Sequence, residues 1–141
     1  MSDWTIRPWM NGVPFTISPK DNLGRARALM RTAKVAELLV VDDGKLVGIL
    51  SERDIWHRCP SSALVLNDQQ AETLLAQIRV GGVMTLHPLV ITPETSLREA
   101  ARLFAESGTD TLPVIEDGVL TGLLTQNSVM QAAAAFLGEA E

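Results

Sequence analysis

The stretch Gly48-Ile49-Leu50-Ser51-Glu52-Arg53-Asp54-Ile55 ends an apolar run on a hydroxyl and places a carboxylate three residues further on. A helix starting at Ser51 would present free backbone N–H groups and the positive end of its dipole, both suited to an anion. The Asp54 carboxylate suits the opposite task, accepting hydrogen bonds from a pair of neutral hydroxyls such as those of a ribose. Arg53 adds a cation, useful for a phosphate. The segment reads as a nucleotide cradle. A plainer reading uses the same residues as a variant capping box, with Ser51 as N-cap and Asp54 as a first-turn carboxylate. Thr125-Gln126-Asn127-Ser128 opens a similar helix without the acid, so the carboxylate is not obviously structural.

That correspondence belongs to a longer one. At an offset of 74 residues Pro14 matches Pro88, Asp43 matches Asp117 and Gly48 matches Gly122. From Met10 (with Met84) to Ile55 (with Val129) no gap is needed, and 14 of the 46 paired positions are identical. The chain is one pattern written twice. Each copy predicts a short strand (Pro14–Ile17; Pro88–Ile91) followed by a helix. Leu23, Ala26, Met30 and Ala33 form the apolar stripe of the first helix. In the second copy Ser96 and Glu99 form a capping box, followed by the stripe Leu97, Ala100, Ala101 and Phe104. Two strands come next, Glu37–Val41 and Leu46–Leu50, matched by Thr111–Ile115 and Leu120–Leu124. Their Asp-Gly connections are strong hairpin signals. Between the copies, Pro60-Ser61-Ser62 should break the chain and Asp68–Ile78 reads as a helix. Val129–Leu137, with Ala132 to Ala135, is a strong helix former whose small side chains suit close packing within the chain or against another. The fold class is α+β (α/β), built of tandem pseudo-symmetric β-α-β-β-α repeats. Their bounds are 6–59 and 80–138, with a linker and helix over 60–79.

Composition narrows the function. At 141 residues and 46% hydrophobic, the chain can fill one ordinary core. A net charge of −5 with no basic tract argues against nucleic acid or an acidic membrane surface as partner. No apolar run reaches the ~18 residues of a membrane span. Met1-Ser2-Asp3-Trp4 is not a secretory signal, and the lone Cys59 fits a reducing cytoplasm. His57 and Cys59 are two residues apart, so on a helix they face different sides and make a poor metal pair. His87 precedes Pro88 in an exposed connection, and neither histidine has a visible nucleophile or carboxylate partner. With no glycine-rich phosphate loop either, an enzyme is poorly supported. Trp4, Trp9 and Trp56 read as anchors for packing or a dimer surface, and Met10, Met30, Met84 and Met130 as core.

The repeat, with its Gly-hydrophobic-hydrophobic-(Ser/Thr)-x-x-Asp signature, resembles the CBS domain (cystathionine β-synthase domain). Val80-Gly-Gly-Val-Met84 looks like the usual entry into such a repeat, and Ile6-Arg-Pro-Trp-Met10 is a weaker version. The resemblance covers about residues 6 to 138 and leaves no additional catalytic domain. It implies two repeats packed pseudo-symmetrically with two clefts between them, a flat homodimer, and regulation through adenosine compounds such as AMP, ADP, ATP or S-adenosylmethionine. No cofactor is required; an adenine nucleotide would act as regulatory ligand. Carried over, one cleft uses Ser51, Arg53 and Asp54 with Leu89, Val90, Asp110 and Thr111. The mirror cleft uses Thr125, Asn127 and Ser128 with Phe15, Thr16, Ala36 and Glu37. Its pattern fails because Ser128 replaces the Asp, Asn127 replaces Arg53, and Glu37 brings a negative charge; it should be weak or empty.

Two functions compete on these residues. One is a stand-alone sensor in which the ligand shifts dimer shape or affinity for an unknown regulated protein. The other is a ligand-free scaffold that only dimerises or docks.

Overall fold

The computed structural model describes residues 4–13, 15–58 and 66–140. The sequence readings at Pro14, Cys59 and Pro60-Ser61-Ser62 lie outside them. The chain divides into two compact units, residues 14–88 and residues 1–13 with 89–141.

The unit spanning 14–88 holds β1 (Thr16–Ile17), α1 (Leu23–Ala33), β2 (Glu37–Asp42), β3 (Lys45–Ser51), α2 (Glu52–Arg58), α3 (Asp68–Leu75) and β4 (Thr85–Leu86). Its sheet runs β1-β2-β3-β4, with β1 parallel to β2 and the other pairs antiparallel. Asp43 and Gly44 take φ of 54° and 77°, the left-handed pair that a type I′ hairpin turn requires. Asn22 caps α1 by accepting from Arg25 N, and Lys34 ends it in the left-handed region at φ 58°. Leu23, Ala26 and Met30 turn inward onto Ile17, Leu38, Val40, Leu50 and Ile55 to form the core. α3 stops at Leu75, short of the expected Ile78, because Gln77 N and Ile78 N reach back three residues, to Leu74 O and Leu75 O.

The other unit repeats the plan with α4 (Leu97–Ser107), β5 (Thr111–Glu116), β6 (Val119–Thr125) and α5 (Gln126–Ala140). Asp117 and Gly118 form the matching turn at φ 53° and 79°. Here the expected strand at Pro88–Ile91 shrinks to one parallel bridge, Ile91 with Val114. Pro113 stands in the place of Leu39 and has no N–H to give to a neighbouring strand. Ser96 accepts from Glu99 N, but the capping box is only half made, because the Glu99 carboxylate pairs with Arg102 instead. Ala101, expected in the buried stripe, is exposed; Ala100 and Phe104 are buried against Ile6, Leu112, Val114 and Leu124.

Each unit is completed by the chain segment leading into the other repeat. Asn11 exchanges two backbone hydrogen bonds with Leu123, 2.7 and 2.8 Å, as an antiparallel bridge alongside β6. Seventy-four residues on, Thr85 sits in β4 alongside β3. Ile6 N donates to Thr95 O at 2.9 Å, and the equivalent Val80 N donates to Asp21 O at 2.8 Å. Trp4 stacks on Phe136 with centroids 3.5 Å apart, and Trp9 meets the same ring edge-on. Arg7 lies between Glu94 and Glu116, whose hydrogen bonds hold its guanidinium pKa above the ordinary value. Trp56 is not buried: Arg27 lies over its ring. Met130 corrects the core reading, being 69% exposed on α5, whereas Met10 and Met84 pack against the cores.

Candidate functional site

β3 delivers Ser51 to the start of α2, and the two side chains first singled out close on each other. Asp54 N donates to Ser51 Oγ at 3.0 Å, and Ser51 N donates to Asp54 Oδ2 at 2.9 Å. Glu52 N donates to Ala36 O at 2.9 Å, fixing the helix start to the chain entering β2. A carboxylate has about four acceptor positions, and this cap uses one. Asp54 is half-buried, and among the described residues Oδ1 has only a long contact, 3.4 Å from Thr85 Oγ1. Arg53 is exposed in the same first turn of α2.

The equivalent corner of the other unit is differently wired. Ser128 N donates to Thr125 Oγ1 at 3.1 Å, and the two hydroxyls lie 3.0 Å apart. Asn11 Nδ2 then donates to Ser128 Oγ at 3.2 Å. Ser128 is only 6% exposed, so its single hydroxyl is spent on neighbours. Gln126 N donates to Asp110 O at 3.2 Å, as Glu52 does to Ala36.

The remaining expected residues are placed as follows. Glu37 pairs with Ser51 across β2 and β3, and Thr111 with Thr125 across β5 and β6. Ala36, Phe15 and Thr16 are exposed, as are Leu89, Val90, Asp110 and Asn127. Ser51, Arg53 and Asp54 belong to the unit 14–88, while Leu89, Val90, Asp110 and Thr111 belong to the other. Phe15, Thr16, Ala36 and Glu37 are divided in the same way from Thr125, Asn127 and Ser128. Two residues escaped the sequence reading: Thr85 and Asn11. The signal for them was present, since each directly follows a repeat-matched methionine at the same offset. Among the described residues no cluster of three or more His, Cys, Asp or Glu could hold a metal, and no helix is long and apolar enough to cross a membrane.

The model of the CBS domain matches residues 6–55 and again 80–135. The chain belongs to the CBS domain family. As a CBS pair it is similar to the chloroplastic CBS domain-containing protein CBSX2 of Arabidopsis thaliana, 32% identical over 144 residues that cover 89% of this chain and 60% of that protein. It is also 34% identical to inosine-5'-monophosphate dehydrogenase of Korarchaeum cryptofilum over 115 residues, 81% of this chain. The chain thus spans about a fifth of the dehydrogenase's length (21%) and three fifths of CBSX2. Among solved structures, the CBS-pair protein CBSX2 matches with a TM-score of 0.80 and 32% identity, covering 94% of this chain and 96% of that one. A crystal structure of CBSX2 in complex with AMP matches at TM-score 0.76 and 31% identity, covering 94% and 98%.

Proposed function

We propose that this CBS pair is a regulatory module that binds an adenosine-containing nucleotide, of the AMP, ADP, ATP or S-adenosylmethionine type, at Ser51, Arg53 and Asp54. The likeness of nearly the whole chain to CBSX2, whose crystal structure holds AMP, carries the reading. Asp54 supplies the chemistry: its helix cap engages Oδ2, leaving acceptor positions on both oxygens for a ribose diol. Arg53, with an exposed guanidinium, is assigned to phosphate. Leu89, Val90, Asp110 and Thr111 are proposed as further contributors, to be tested by substitution. Phe15, Thr16, Ala36, Glu37, Thr125, Asn127 and Ser128 are assigned a weaker or empty site, because the Ser128 hydroxyl is already engaged. Binding, not turnover, is the activity in this reading; it needs no cofactor, and the cytoplasm is its proposed setting.

A second copy of the chain belongs to the same proposal. Met130, Ala133, Ala134 and Leu137 stand exposed at helical spacing on α5, with no charged residue from Gln126 to Gly138. A two-fold contact through that face brings no like charges together. The protein that the module regulates is to be identified by its response to ligand.

The test is a thermal-shift series with AMP, ADP, ATP and S-adenosylmethionine on the native chain, Asp54→Ala and Asp54→Asn. At ~100 times its dissociation constant a ligand stabilises by about 2.7 kcal/mol. Native protein should show that gain and both variants should lose it. Asn keeps a carbonyl for Ser51 N, so its loss separates ligand binding from capping. No shift with any ligand supports the second reading, a ligand-free scaffold. The reciprocal Ser51–Asp54 bonds favour that reading, since they give both residues a structural task.

A further inference from the structure

Asp54 is held by more than its own helix. Thr85 Oγ1 stands 3.4 Å from Oδ1 and 3.5 Å from Oδ2, nearly equidistant and at the long limit of a hydrogen bond, beyond the about 2.5–3.0 Å of a strong hydroxyl–oxygen one. Its backbone cannot drift, because Thr85 pairs with Ile49 in the β3–β4 ladder. Its carbonyl also lies only 2.9 Å from where a Cβ on Gly48 would be. The same contact recurs 74 residues earlier, where Asn11 donates to Ser128. In both units, therefore, the residue after the matched methionine meets the third residue after the Ser/Thr of the motif. The two contacts differ in closeness. Asn11 engages a buried hydroxyl, whereas Thr85 stands off a half-buried carboxylate that keeps most of its accepting capacity.

We propose that Thr85 is a positioning residue for Asp54, orienting its carboxylate for a pair of vicinal hydroxyls. The proposal rests on the nucleotide reading above. With Thr85 present, the carboxylate has two reference points: Ser51 N on Oδ2 and a hydroxyl steering both oxygens. Without it only Ser51 N remains, and the carboxylate turns more freely about that bond. Orientation matters most when two ligand hydroxyls must be met at once, and less when only one is.

Dissociation constants for AMP and 2′-deoxy-AMP are to be measured on the native chain, Thr85→Val and Thr85→Ser. Val keeps the β-branched shape that suits β4, and Ser restores the hydroxyl. Val should weaken AMP about three- to tenfold, the scale of one hydrogen bond, and weaken 2′-deoxy-AMP less; Ser should bind like the native chain. An unchanged AMP affinity in Val, an equal loss for both nucleotides, or a Ser variant as weak as Val overturns the role of Thr85 and leaves the nucleotide site standing. A native chain that binds neither nucleotide removes the reading beneath it, and the role of Thr85 with it.

Discussion

A single methyl group at Gly48 or Gly122 tests how tightly each lead-in segment is seated. Both glycines face those segments with nothing between. A Cβ on Gly48 would lie 2.8 Å from Met84 Sδ and 2.9 Å from Thr85 O; on Gly122 it would lie 2.5 Å from Met10 Cε and 2.6 Å from Asn11 O. The methionine ends can swing aside, but the carbonyls cannot, since Asn11 O accepts from Leu123 N at 2.8 Å and Thr85 lies in the β3–β4 ladder. Alanine therefore forces the strands apart by several tenths of an ångström. Overpacking of this kind costs about 1–3 kcal/mol, offset by about 0.4–1 kcal/mol from the stiffer unfolded chain. A net loss of about 1–2 kcal/mol is expected, larger at Gly122, where the approach is closer. For 141 residues the unfolding entropy is about 0.3 kcal/mol/K, so Tm should fall about 3–7 °C. Urea unfolding should show a lower midpoint with an unchanged slope. A Gly122→Ala variant as stable as the native chain, or more so, would refute the close approach.

Lys34 ends α1 in the left-handed region where α4 ends on Gly108 at φ 73°. Lys34→Gly should stabilise by about 1 kcal/mol, read from urea midpoints. Hydrogen bonding to Arg102 holds the Glu99 carboxyl below its ordinary 4.5. A lowered folded-state value contributes stability above the unfolded pKa and loses it as pH falls through the folded one. The Tm gap between native chain and Arg102→Gln should thus narrow from about pH 7 to about pH 3. On the proposed two-fold contact through α5, Met130→Glu or Leu137→Glu should convert dimer to monomer by light scattering and abolish any concentration dependence of Tm; a native chain already monomeric would refute that face.

Much of this was legible because the signals are local. Asp-Gly fixed both hairpins to within a residue, since left-handed backbone is cheap only for a few residue types. Leu23, Ala26 and Met30 announced the buried face of α1. The Ser51–Asp54 pair was legible both as a cap and as a candidate site, and the structure forms the cap. What the pattern concealed was non-local. One exception is local: Arg102, three residues on in the same helix, takes the Glu99 carboxylate that the cap would have used. Met130 matches Trp56 at the repeat offset, and both are exposed, so the core reading of Met130 failed at a position that is on the surface in both repeats. Thr85 and Asn11 were overlooked because a polar residue after a methionine carries meaning only once it is known which sheet it joins.

The crossing of the lead-in segments also dictates an order of events in synthesis. Every pairing described for the unit 14–88 is available once Pro88 has been made. The other unit must wait: Ile6 bonds to Thr95 and Asn11 to Leu123, closing stretches of roughly 90 and 110 residues. Loops of that length are slow to close, though each doubling of length adds only about 0.6 kcal/mol. The lead-in around Ile6 and Asn11, though made before the unit 14–88, settles after it, held over until the β5–β6 hairpin exists. Dissection of the protein should follow the same logic. A fragment cut at the boundary between the sequence repeats takes the wrong lead-in with it, whereas residues 14–88 carry their own.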